Sequence, residues 1–132
     1  GKDKIFHVTQ TRMDGDSVTV GTNGQVSPVW RRDTSVYFLG ADSAEERELG
    51  IGEQPWVTSS LTGPIAVWLR KRGESLLLRL PGSRTPVELS SAAIDHTIAA
   101  GGPNNEIVVA AWEDVSGGQT KIVCQRIQLN KQ

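Results

Sequence analysis

The stretch "VVAAWEDVSGGQTKIVCQRIQ", Val108 to Gln128, decides the fold. Two runs rich in apolar and β-branched residues flank a polar turn with a double glycine, and glycine tolerates the positive φ that tight turns need. The pattern predicts an antiparallel hairpin. Trp112, Glu113 and Asp114 stand where the first run meets the turn. Acids beside a tryptophan at a strand end suit either a catalytic edge or a structural corner. Recurrence of the stretch decides between them.

It recurs. "QPWVTSSLTGPIAVWLRKRGESLLLRL" from Gln54 and "DHTIAAGGPNNEIVVAAWEDVSGGQTKIVCQRI" from Asp95 follow one plan. Each has a short strand of small and β-branched residues, a Gly-Pro turn, an apolar strand ending in tryptophan, a polar turn and a second apolar strand. Trp68 and Trp112 match, 44 residues apart. A weaker copy, "SPVWRRDTSVYFLGADSAEERELG", places Phe38 where the tryptophan stands, 30 residues before Trp68, and matches Pro28 to Pro55.

Repeats of this length, each a small antiparallel sheet, read as β-propeller-like blades. The expected units are 26–53, 54–94 and 95–129, with 1–25 supplying partial-blade strands that include Lys4–Gln10. An inner blade strand crowds its neighbours and favours small side chains, as "VTSS" and "TIAA" provide. Strands packed on both faces read as continuous apolar runs, as "IAVWL" and "IVVAAW" do. The whole chain is therefore expected to be all-β, with short strands divided by turns such as "MDGD", "TNGQ", "LTGP" and "PNNE". A β-sandwich is the competing architecture. It would set the two tryptophan-ended strands in facing sheets.

Composition narrows the function. Apolar residues at 37% and charged residues at 22% fit a globular chain, and a net charge of −1 without a basic stripe argues against nucleic acid. The densest basic run, Leu69 to Gly73, sits between apolar runs and reads as a solvated hairpin turn. No apolar segment reaches the roughly 20 residues that cross a membrane as a helix. One cysteine, Cys124, rules out an internal disulfide and reads as a small buried hydrophobe. His7 and His96 lack metal-ligand spacing, and the acids Glu45, Glu46, Glu48, Glu113 and Asp114 form no calcium-loop pattern. No metal, cofactor or catalytic residue is assigned.

The opening stretch resembles the blade repeats of secreted bacterial β-propellers of the sialidase-like or BNR type. The likeness lies in a tryptophan-acid-aspartate turn followed by an "IY-x-QR-I" strand. Trp112, Asp114, Gly117, Ile122, Gln125, Arg126 and Ile127 carry it, and the sequence departs at Val115 and Lys121. The resemblance implies a four-stranded blade and a secreted or periplasmic protein. It carries little about activity, because the motif is structural. Sialidase chemistry would need an arginine set, a tyrosine nucleophile with a glutamate, and a further acid. Tyr37 is the only tyrosine, and "S-x-D-x-G-x-T-W" turns are absent.

The expected function is a non-catalytic module that binds a carbohydrate or protein ligand at its loop face. Candidate contacts are Trp30 and Trp56, as stacking platforms at strand ends, Arg31 and Arg32, as an anion clamp, and His96 beside Asp95. A fragment or subunit of a sialidase-like glycan-cleaving enzyme and a purely structural interaction subunit are the alternatives. Three blades fall short of the roughly four to eight that close a ring. A second copy or a partner chain is expected to complete it, the alternative being that the chain is a fragment of a longer propeller.

Overall fold

The computed structural model describes residues 13–21, 24–39 and 45–130; the expected strand Lys4–Gln10, with His7, lies outside them. Ten strands follow one another: β1 (Met13–Val20), β2 (Val26–Arg32), β3 (Ser35–Phe38), β4 (Arg47–Ile51), β5 (Glu53–Ser60), β6 (Gly63–Leu69), β7 (Glu74–Arg79), β8 (Val87–Gly101), β9 (Ile107–Asp114) and β10 (Lys121–Gln128). A 3-10 turn, Ser116–Gly118, is the one helical element among the described residues. The protein is all-β. No helix among the described residues is long and apolar enough to cross a membrane.

Both sheets are antiparallel meanders. One has four strands in the order β1-β2-β3-β4, and the other six in the order β10-β9-β8-β7-β6-β5. The larger sheet curls, so that β5 meets β8 although β6 and β7 lie between them in the ladder. The curl is built into β8. Its first part pairs with β7 at Val87, Glu88 and Ser90, its second part pairs with β9 from Ala93 to Gly101, and bulges interrupt both ladders. Bulges bend and twist a strand, which lets one long strand serve two pairings.

Packing explains the apolar runs. All five residues from Ile65 to Leu69 are buried. Ile65, Val67 and Leu69 point one way, into a cluster with Leu76, Leu78, Ala93, Ile98, Val108, Ala110 and Trp112. Ala66 and Trp68 point the other way, with Val57, against Val29, Val36 and Phe38 of the four-stranded sheet. Side chains alternate along a strand, so β6 reads as continuously apolar only because protein covers both of its faces.

Several local expectations change. "MDGD", expected as a turn, opens β1, where a bulge between Asp14 and Ser17 takes up the extra residue. Because β1 pairs with β2, the first sheet spans 13–51 and includes residues 13–20. The short inner strand expected at "TIAA", residues 97–100, lies at the end of the 15-residue β8. Cys124 is exposed, not buried, because β10 ends the sheet order with its outer face uncovered.

Candidate functional site

Strand register sorts the repeats better than spacing does. The direct partners Trp30–Tyr37, Trp68–Leu77 and Trp112–Val123 are equivalent pairs between second and third strands. The tryptophan of the first copy is therefore Trp30, and Phe38, opposite Val29, corresponds to Leu78, opposite Val67. Pro28 pairs on β2 while Pro55 lies in the bulge of β5, so these prolines are not counterparts. The strand paired before each tryptophan bulges at or beside it: between Asp14 and Ser17, between Glu53 and Trp56, and between Ile94 and His96. Gln54 at φ 52° and Asp95 at φ 43° hold left-handed backbone there. Non-glycine residues adopt that conformation rarely, and bulges of this kind re-aim side chains at sheet ends.

The bulges gather polar groups at one end of the six-stranded sheet. Glu53 Oε1 accepts the Arg72 backbone N–H at 3.1 Å, and Arg72 Nη1 donates to Asp95 Oδ1 at 2.9 Å. Arg72 first, and the Glu113 side chain second, hold the Asp95 carboxyl below its usual range. The pair is solvent-exposed, so its value lies in fixing geometry more than in stability.

His96 is half-buried in this group, and both ring nitrogens are shielded from solvent without a hydrogen-bond partner. Burial pushes its pKa down, opposed by the nearby Gln54 backbone and by Asp95. The folded state thus binds a proton less readily than the unfolded chain does. Stability is expected to be intact above the ordinary histidine value, near 6.5, and to fall as the pH drops below it. Thermal unfolding followed from pH 7.5 to 5 should show a declining Tm, and His96→Gln should flatten that decline.

Trp56 is 47% exposed. Its neighbour Val57 turns toward the four-stranded sheet, so strand alternation sends Trp56 to the other side of β5, the side facing β8. Trp56 therefore lies on the side of β5 toward the strand that carries His96. The other expected contacts serve different ends. Trp30 is buried, stacked with Tyr37 at 6.2 Å between ring centroids, so it is unavailable as a platform. Arg32 lies 3.9 Å over the Tyr37 ring and grips both oxygens of Glu46, at 3.1 and 2.8 Å. Glu46 first and Tyr37 second raise its pKa, and its charge is already answered. Arg31 Nε donates to the Asp33 carbonyl at 3.0 Å, beside the β2–β3 turn.

The Trp-Glu-Asp cluster of the opening stretch is a corner. Asp114 accepts hydrogen bonds from the Ser116 backbone and hydroxyl, from Ser90 Oγ at 2.9 Å and from Trp112 Nε1 at 3.4 Å. Those bonds, Ser116's first, hold its carboxyl far below the usual range. Gly117, at φ 71°, supplies the left-handed residue that the turn needs.

A cleft of about 200 Å³ was not anticipated from sequence. It lies between β4 and the β7–β8 turn and is lined by Arg47, Arg79 and Arg84, with Glu48 the one acid, over a floor that includes Leu49 and Trp68. The Arg79 guanidinium stands 5.0 Å over the Phe38 ring, and burial, then Arg47, disfavour its charge. Such a cleft is chemically suited to an oxyanion. Arg79 and Arg84 come from β7 and the turn after it, Arg47 comes from β4, and the packing of the two sheets brings Arg47 to the other two. Among the described residues, no group of three or more His, Cys, Asp or Glu side chains is arranged to hold a metal ion.

No protein-family model matches the chain, and no curated protein matches it.

Proposed function

We propose that the chain is a non-catalytic module of three β-propeller-like units, 13–51, 53–90 and 93–128, that binds a carbohydrate ligand at its bulged end. Support for the architecture comes from the two seams. Positions 57, 66, 68 and 77 of the second unit face 29, 36, 38 and 49 of the first. Their counterparts by register, 98, 110, 112 and 123 of the third unit, face 67, 76, 78 and 89 of the second. One packing arrangement is used twice, as in a propeller whose blades stack around an axis. The resemblance of 108–128 to sialidase-like and BNR-type repeats falls on β9, the 3-10 turn and β10 of the third unit.

Exposed Trp56 carries the functional reading. Much of its indole is open to solvent, and Glu53 of the same strand joins the Arg72–Asp95 pair that adjoins His96 in the chain, so this end of the sheet offers both an apolar plane and hydrogen-bonding groups. A sugar ring, with C–H faces and hydroxyl edges, matches that combination. The alternative, part of a glycan-cleaving enzyme, would need its nucleophile elsewhere, because Tyr37 is packed between Trp30 and Arg32.

A glycan-array screen followed by calorimetry tests the proposal. Binding without turnover is expected, and Trp56→Ala should weaken it about tenfold or more, the size of one lost stacking contact at about 1.4 kcal/mol. Hydrolysis of a bound glycan by this chain overturns the non-catalytic reading. Unchanged affinity in Trp56→Ala removes Trp56 as the platform.

A further inference from the structure

The two seams leave half a seam at each end of the stack. In the first unit, the counterparts of Val57 and Ile98 at position 18, and of Val108 at position 26, face away from the second unit. Val57 and Ile98 are 6% and 7% exposed, whereas Val18 is 60% exposed. Val20, at the position of the seam-packed Ala100, is as open as Val18, and Val26 is exposed where Val108 is buried. Trp30, on the same face, is already covered within its own chain.

In the third unit the complementary half is bare. Ile122 stands at the position of Val36 and Leu76, both fully buried in seams, yet it is 68% exposed. Exposed Cys124 takes the position of buried Phe38 and Leu78, and half-buried Ala111 that of buried Val29 and Val67. Position by position, the outer face of the third unit is the surface that the first and second units each have covered. The outer face of the first unit belongs to the kind that does the covering.

We propose that these two faces meet between copies: the third unit of one chain docks on the first unit of a second, head to tail, through Ile122, Cys124 and Ala111 against Val18, Val20 and Val26. The proposal rests on the three-unit reading given above. It follows from surface complementarity, since an apolar face whose equivalents are dry twice in one molecule is matched by the surface that dries them. A head-to-tail contact either closes a ring or propagates. Two copies supply six units, inside the roughly four to eight that close a propeller.

Sedimentation velocity over a hundredfold concentration range is the first measurement, with the expected result a species of twice the chain mass. Val18→Glu and Ile122→Glu change exposed residues, so each should fold with an unchanged circular-dichroism spectrum and lose the doubly closed dimer. Mixing the two variants is the decisive step. Each keeps one intact face, so a head-to-tail contact predicts that the mixture forms a one-to-one pair through a single seam. A monomer at all concentrations overturns docking by a second copy, as does a dimer that survives Ile122→Glu. Small-angle scattering of such a monomer then separates the two levels of the argument. A profile matching the three-unit stack leaves the architecture standing, and a profile that does not match overturns that reading as well.

Discussion

Trp68→Ala is expected to destabilise the fold by about 3–5 kcal/mol, the usual cost of removing a buried tryptophan side chain. Trp68 is almost fully buried and packs with Val29, Val36 and Phe38 across the seam between the sheets. Its loss empties the middle of that seam, where backbone on both sides restrains collapse into the space. Urea unfolding should show a lower midpoint, and a midpoint unchanged within error would remove Trp68 from the core. Trp68→Phe offers a sharper comparison. The indole N–H is buried without a partner, so phenylalanine sheds both part of the volume and an unsatisfied donor. Leaving such a donor buried costs about 1–3 kcal/mol, so Trp68→Phe should cost clearly less than Trp68→Ala.

Gly52→Ala is expected to destabilise by about 1–3 kcal/mol or more, although it adds a single methyl group. A Cβ on Gly52 would stand 2.3 Å from Trp68 Cδ1 and 2.6 Å from the Leu69 carbonyl oxygen. The first neighbour is a buried ring that cannot swing away, and the second is backbone. Gly52 joins β4 to β5, so relief of the clash has to move one sheet against the other. Thermal unfolding reads the loss. Gly24→Ala is a useful contrast, since a Cβ there meets nothing within 4 Å and only the positive φ opposes it.

Much of this arrangement was legible in the sequence. The run at β6 read correctly because a strand covered on both faces cannot alternate, and Trp68 and Trp112 declared their own correspondence; β9, expected to be covered likewise, alternates in burial because one of its faces is open, as Val109 shows. Trp30 escaped notice because hairpin length varies. Two residues link β2 to β3, four link β6 to β7 and six link β9 to β10, so equal places fall at unequal intervals. Arg31 and Arg32, directly after it, also gave Trp30 the look of a polar edge. Trp30 and Trp56 were expected alike as exposed platforms, and nothing in the sequence told the open one from the buried one; the burial of the His96 nitrogens was not legible either, since bulges at Gln54 and Asp95 decide where the side chains beside them go. The arginine cleft was beyond reach for another reason: Arg47 meets Arg79 and Arg84 only after two sheets pack.

The two seams differ in how they are fastened. Within the six-stranded sheet β8 runs through, so the main-chain ladder is continuous from β5 to β10. Between the four-stranded and six-stranded sheets no ladder crosses among the described residues. β1 and β5 lie side by side, held by Thr19 and Ser59 hydroxyls 2.9 Å apart and by the Val57 N–H donating to Ser17 Oγ at 3.3 Å. Opening the first seam exposes apolar surface but breaks no sheet, whereas opening the second must also strip strand from strand. The four-stranded sheet is therefore expected to open as a unit of its own, with heat or mechanical load finding the joint at Gly52 before it finds β8, an order that hydrogen exchange would read.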